Sequence, residues 1–454
     1  MTGTGTAAFL VVGPVTVPVP DGWVAIDSPL GIVGAATPAR NDGSFRPNVV
    51  VSTVPRPAPI HAVCAETIAA VIAIRPRTQV LDVTPDERLG GPGRCIWYAY
   101  EQAGQWIIVQ QWMTVTAREQ VHLTASVSVD EFEYFRSGFV AIAESIVIAP
   151  GDSPSDRSLS VGARAMNSDP VLEPALDDRV SARLDESYES LSGVPGAQPR
   201  PVGRWLMNDS TLQHLFAIRA RGMVGGADRR SADGMSLREL GLTNRFGAPV
   251  NDGLAIARLL ERPSARFGAL ARHAGLEISW TLWSDGTMGL VRGESSVAEL
   301  PQRRARSEPA LFDRVGLGRA AGHLVAWMGL SPAWTVGNDT RLRLPADLVD
   351  RRVDEPGAPE GPSPIDDWAM CRLWAQPAWV RITVWRDGAG RGVDVVAAGD
   401  AGYFRVRPMD GGQVELFPVP SGTVLLDALH VLAERPTGDG RSGTRSSSGV
   451  APHL

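Results

Sequence analysis

The sequence predicts an α+β protein: an antiparallel sheet with helices, then an internally duplicated antiparallel sheet flanked by helical bundles. Three observations carry that prediction. Period-two alternation of apolar residues recurs in short runs, which is the pattern of strands with one buried face. Short links such as Gln102-Ala103-Gly104 join consecutive runs, so neighbouring strands are antiparallel hairpins. Ile278-Ser279-Trp280-Thr281-Leu282-Trp283-Ser284-Asp285-Gly286 is echoed by Val380-Arg381-Ile382-Thr383-Val384-Trp385-Arg386-Asp387-Gly388. Both copies alternate and close on Trp-x-Asp-Gly, and Asp-Gly is a strong two-residue turn signal.

Residues 1–148 read as one unit. Strands are expected at Ala7–Val12, Val15–Pro20, Trp23–Ile26 and Asn48–Ser52. A helix from His61 to Ile74 places Cys64, Ile68, Val71 and Ile72 on one stripe, and Pro76 ends it. Three strands follow at Cys95–Tyr100, Trp106–Trp112 and Val121–Val127, then a helix from Asp130 to Ser145. Residues 149–203 read as a linker, Pro/Gly/Ser-rich at both ends, with a charged helix over 171–192 that is either solvated or docked at one edge. Residues 204–436 form the duplicated domain, and 437–454 a Gly/Ser/Arg-rich disordered tail.

The echo extends upstream, from Leu240-Gly241-Leu242 to Met328-Gly329-Leu330. The offset is 329 − 241 = 88 there and 385 − 283 = 102 at the tryptophans. The difference matches a charged surface loop inserted at Arg351–Pro364 in the second copy. A helix is expected over Glu308–Met328. A strand, Pro420-Ser421-Gly422-Thr423 and a helix capped by Thr423 close the domain.

Composition excludes several chemistries. The net charge of −6 leaves no broad basic surface for nucleic acid or anionic lipid. All 44 Lys+Arg positions are Arg, as codon usage in a GC-rich genome would produce. A Walker-type phosphate loop and a Schiff-base enzyme both need lysine, so neither is present. Cys64, Cys95 and Cys371 are scattered, with Cys64 and Cys371 expected as buried thiols, which suits a reducing cytoplasm. No positive residue precedes the first apolar run, so a strand is expected there rather than a secretory signal.

No site is written locally. Gly316-Leu317-Gly318-Arg319-Ala320-Ala321 fits a dinucleotide fingerprint, but Glu308–Val315 before it reads as helix where the fingerprint needs a strand. The seven histidines are dispersed, so no metal or cofactor is expected. Asp285 and Asp387 read as turn residues beside glycine. The tryptophan-rich strands point either to core packing or to an apolar platform. The residues assigned to partner binding are Trp280, Trp283, Trp379 and Trp385, with Arg351 and Arg352 as a charged rim.

Two resemblances follow. Pro20-Asp21-Gly22-Trp23, the central meander and Phe139–Ile146 resemble the PsbP/Mog-like superfamily, which includes LpqN- and DcrB-type proteins. That resemblance implies a binding or assembly fold without a common active site. The quasi-equivalent halves and the strand–Pro-Ser-Gly-Thr–helix ending resemble the EspG family of type VII (ESX) secretion chaperones. That resemblance implies a cytoplasmic adaptor that masks a helical protein client without bond-making. The alternatives are an NADP- or small-molecule-binding enzyme using residues 316–321, or a scaffold in which both domains only bind proteins.

Overall fold

The computed structural model describes residues 8–26, 32–75, 77–149, 175–184, 186–221, 226–303, 309–335, 340–355, 357, 359, 361–387 and 392–433. The tail assigned to 437–454 lies outside them. The architecture is α+β with three antiparallel sheets.

The first domain contains β1 (Phe9–Val12), β2 (Val15–Pro18), β3 (Val24–Ile26), β4 (Ile32–Ala36), β5 (Asn48–Val54), α1 (Ile60–Ile74), β6 (Gln79–Asp86), β7 (Gly93–Gln102), β8 (Gln105–Val115), β9 (Gln120–Ser128), α2 (Phe132–Glu144) and β10 (Val147–Ile148). Seven strands pair in the order β3-β4-β5-β9-β8-β7-β6, and β1-β2-β10 form a small second sheet. The expected strands and both helices are present. Three further strands, β4, β6 and the two-residue β10, were not anticipated. Gly34 in β4 and Pro85 in β6 dilute the alternation that would have revealed the first two.

The connecting segment is not a solvated linker where it is described. Only α3 (Asp178–Leu184) and the short α4 (Val194–Ala197) are helical, and Val180, Tyr188, Leu191 and Val194 are buried against α1 and the first sheet. Gln198 exchanges two hydrogen bonds with the backbone of Val80 (3.1 and 2.7 Å), covering the open edge of β6. Arg94, 1% exposed, lies 3.5 Å from the buried Glu189 carboxylate and donates to Glu186 at 3.0 Å. Its guanidinium also lies over the rings of Tyr188 and Trp334, which meet edge to face. The charge pattern left a solvated helix open because the cation that buries Glu189 lies far away in sequence.

The second domain contains β11 (Trp205–Met207), α5 (Asp209–Arg221), α6 (Gly226–Arg230), α7 (Ala232–Glu239), α8 (Asp252–Glu261), β12 (Ala265–His273), β13 (Leu276–Ser284), β14 (Met288–Gly293), β15 (Ala310–Gly316), α9 (Leu317–Met328), β16 (Leu342–Pro345), α10 (Ala346–Asp354), α11 (Trp368–Trp374), β17 (Val380–Arg386), β18 (Gly392–Ala397), β19 (Tyr403–Pro408), β20 (Gln413–Val419) and α12 (Ser421–Ala433). Its ten strands run β11-β15-β14-β13-β12-β17-β18-β19-β20-β16. Read outward from the central β12·β17 pair, each half repeats one order: four meander strands, then the half's own first strand on the edge. The duplication is therefore visible in the topology.

Its register differs from the expected one. β12 is equivalent to β17, so Trp283 on β13 and Trp385 on β17 occupy different strands of their halves. The strand-to-helix junctions are the true echo, with Gly318 matching Gly422 at an offset of 422 − 318 = 104. The longer connection lies in the first half (208–264) rather than the second (346–379). Residues 308–328 are not one helix: β15 leads directly into α9, because Phe312 and Val315 bury opposite faces of a strand. Arg351 and Arg352 lie in α10 and not in a loop. Cys371 is exposed while Cys64 and Cys95 are buried.

One face of the ten-stranded sheet carries α9 and α12, and on these rests the seven-stranded sheet. The other face carries α5–α8 over the first half and α10–α11 over the second. Trp280 and Leu282 share the α9 face while Trp283 points to the bundle, as the alternation predicts.

The domain interface is polar at defined points. Gln79 donates to the carbonyls of Val325 and Leu330 at the end of α9 (3.2 and 3.3 Å). Ser421 Oγ donates to the buried Asp82 carboxylate at 2.9 Å, and the amides of Ser421 and Gly422 also face it. Thr423 is thus already inside the helix, and the start of α12 is satisfied by a side chain from the first domain. Asp130 stands in the same relation to α9: a Cβ on Gly318 would lie 2.7 Å from Asp130 Oδ2, as one on Gly422 would lie 2.6 Å from Asp82 Oδ2. A Cβ on Gly322 would press on Trp106 at 3.0 Å.

Two predictions follow from this packing. Desolvation lifts the Asp82 carboxyl from 3.8 to about 6. A raised folded-state pKa contributes stability that is fully present below about pH 4 and lost as pH rises through about 6, on the order of 3 kcal/mol. Asp82→Asn should flatten the pH dependence of urea unfolding across that window. Arg94→Met, which strands the buried Glu189, should cost about 3–5 kcal/mol in the same measurement. A loss within 0.5 kcal/mol would show that the pair is not buried as described.

Candidate functional site

Between the two helical bundles, the central strands leave part of one sheet face uncovered. On the α9 side, Ala269, Ala271, Ile382 and Val384 are fully buried. On the opposite side their neighbours Leu270, Thr281 and Thr383 are half-buried, and Trp385 is 37% exposed. Register places these side chains in rows: Thr281, Gly268, Trp385 and Gly392 in one, Ser279, Leu270, Thr383 and Asp394 in the next. The result is a saddle four strands wide. At about 4.8 Å per strand it spans about 14 Å, against roughly 10–12 Å for one helix.

Small residues make the floor low. A Cβ on Gly268 would lie 2.4 Å from Trp385 Cζ2, so the indole lies flat across β12 only because residue 268 is glycine. One end is closed by charge. Arg381 makes paired hydrogen bonds to Asp394 (3.0 and 2.8 Å) and a third to Asp350 of α10 at 2.8 Å. Arg272 reaches the same Asp350 at 2.9 Å. These bonds hold the Arg381 guanidinium above its ordinary pKa. The flank under α5 is fixed by Arg292, which grips Asp209 at 2.7 and 2.8 Å and donates to Ser279 Oγ at 2.7 Å. Among the described residues no ion pair closes the Trp385 end.

The six residues assigned to partner binding divide sharply. Trp280, Trp283 and Trp379 are buried. Arg352 is 3% exposed, packed on the rings of Trp374 and Trp379, and donates to the carbonyls of Glu355, Gly357 and Gln376. These four are core: the bundles cover Trp283, Trp379 and Arg352, and α9 with the first domain covers Trp280. Arg351 is exposed but engaged with Asp347 on its own helix. Trp385 alone reaches the saddle. Gly268, Leu270, Thr383 and Asp394 were missed, since only β-pairing brings them together; the alternation of β12 and β17 was the available signal.

The fingerprint at 316–321 has the strand that was not expected before it, followed directly by α9. The strand belongs to an antiparallel sheet, and the helix start faces Asp130. A carboxylate occupies the position a pyrophosphate would need. His323 lies 3.5 Å from Asp313, and burial, aided by Arg319 and Arg77, lowers its pKa to about 4. His273 bonds the Trp379 carbonyl at 2.9 Å, and His122 is held low by burial. Asp285 accepts from the amides of Thr287 and Met288, which lower its pKa, as a turn residue should. Among the described residues no three His, Cys, Asp or Glu side chains group as a metal site. None of the described helices is long and apolar enough to cross a membrane.

No family model matches the chain, and no curated protein matches it. Among the solved structures similar to it, three cover about a third of the chain. LpqN of Mycobacterium tuberculosis, involved in cell envelope biogenesis, is 16% identical and covers 33% of this chain and 88% of its own, with a TM-score of 0.26. Cyanobacterial PsbP from Synechocystis sp. PCC 6803 is 15% identical over 33% of this chain and 97% of its own, at 0.26. A Pseudomonas aeruginosa protein of unknown function is 14% identical over 32% of this chain and 100% of its own, at 0.25.

Proposed function

We propose that this chain is a non-catalytic adaptor that holds a helical protein client on the saddle between its two bundles. The observation that supports the reading most is the saddle itself: four strands wide, floored by small residues, with an exposed tryptophan at one end. Burial of an apolar helix face there, inside a rim of fixed ion pairs, is binding by exclusion of water without bond-making. The EspG-like features of the second domain make a helical type VII secretion substrate the client of choice. The PsbP-like domain braces the back of the sheet and leaves the saddle free.

Isothermal titration of the full chain with a helical type VII substrate encoded beside its gene tests the proposal. Trp385→Ala should weaken the complex at least tenfold with an unchanged melting temperature, as loss of a tryptophan anchor does. Thr383→Arg should block the floor and abolish binding. Binding that ignores both substitutions, or its absence with such substrates, rejects the saddle. In the free protein, Gly268→Ala should lift the indole of Trp385 and move its assigned N–H resonance towards the solvent-exposed position.

A further inference from the structure

A second concavity lies on the other side of the sheet, independent of the saddle. It encloses about 600 Å³ where residues 176–195, the end of α9 and the beginnings of β17 and β19 meet. That volume falls within the usual range for small-molecule sites. Leu191, Met328 and Val380 supply apolar wall.

Two buried hydroxyl groups belong to the same wall. Ser331 is 8% exposed, and its Oγ has no hydrogen-bond partner among the described residues. Tyr403 Oη accepts from the Ser331 amide at 3.1 Å, and its own proton has no acceptor among the described residues. A buried unpartnered hydroxyl costs about 1–3 kcal/mol. Ser331 Oγ is closed to solvent as it stands; a turn of the side chain about χ1 would present it to the cavity, and two uncommitted donors would then define an acceptor site. The rim is acidic: Asp177, Asp178 and Asp400 outnumber Arg179 and Arg372. Arg372 already donates to the Trp334 and Asp400 carbonyls. An anion is therefore disfavoured and a neutral acceptor preferred.

We propose that this cavity binds a compact uncharged molecule with an apolar body, whose carbonyl oxygen accepts hydrogen bonds from Ser331 and Tyr403. Amides and ketones of amino-acid size are the class it fits.

The test is ligand-observed NMR titration of the full chain with N-acetyl-leucinamide and, separately, 4-methylpentanoate. Saturable binding of the amide is expected, with the carboxylate weaker. Ser331→Ala and Tyr403→Phe should each weaken the amide about threefold to tenfold. Thermal melting of both variants checks that they fold, and Ser331→Ala should melt no lower than the parent because it removes an unpaired group. No saturable amide binding, equal binding in parent and folded variants, or tighter binding of the carboxylate each overturns the proposal. Loss of client binding at the saddle would leave these results unchanged, so the two sites fail separately.

Discussion

The arrangement rests on two carboxylates placed at two helix starts. The first turn of a helix leaves amide donors without partners and carries partial positive charge. In this protein the starts of α9 and α12 face Asp130 and Asp82, both from the first domain. Each carboxylate approaches the second residue of its helix, and each such residue is glycine. A side chain at Gly318 or Gly422 would occupy the space the carboxylate needs. Asp82 is hydrogen-bonded to the start of α12, whereas Asp130 only packs close to the start of α9, so the first domain meets equivalent points of both halves with different strength.

Because α9 and α12 lie between the two large sheets, these contacts also fix the sheets. Gln79 bonds the carbonyl end of α9 while Asp130 packs against its start, so the first domain meets the helix at both termini. The connecting segment adds a third contact. Glu189 faces Arg94 of the first domain with its carboxylate and takes a hydrogen bond from Trp334 of the second on its carbonyl (2.7 Å). Buried polar groups of this kind are costly unless fully paired, so they specify one docking geometry. A sheet braced from behind presents a rigid floor in front, and a rigid floor loses less entropy when a partner settles on it.

Much of this was legible along the chain. Alternation located most strands of the first domain, and the stripe of Cys64, Ile68 and Ile72 located α1. The split of Trp280 from Trp283 across the sheet followed from strand geometry alone. The repeat was legible too, but aligned on the wrong residues. Trp-x-Asp-Gly marks any strand entering a tight turn, so it recurs wherever hairpins do. The glycine at the second position of each crossover helix is the sounder mark, because packing demands it.

The sequence by itself determined the fold class and most strand positions, since these depend on local periodicity and residue type; the duplication became clear only in the strand order. Which tryptophan is exposed, which arginine is buried and what closes the two helix starts were decided only by tertiary structure. Those properties arise between residues hundreds of positions apart, such as Asp82 and Ser421. Burial and pairing are relations between surfaces, and a chain shows its surfaces only once they meet.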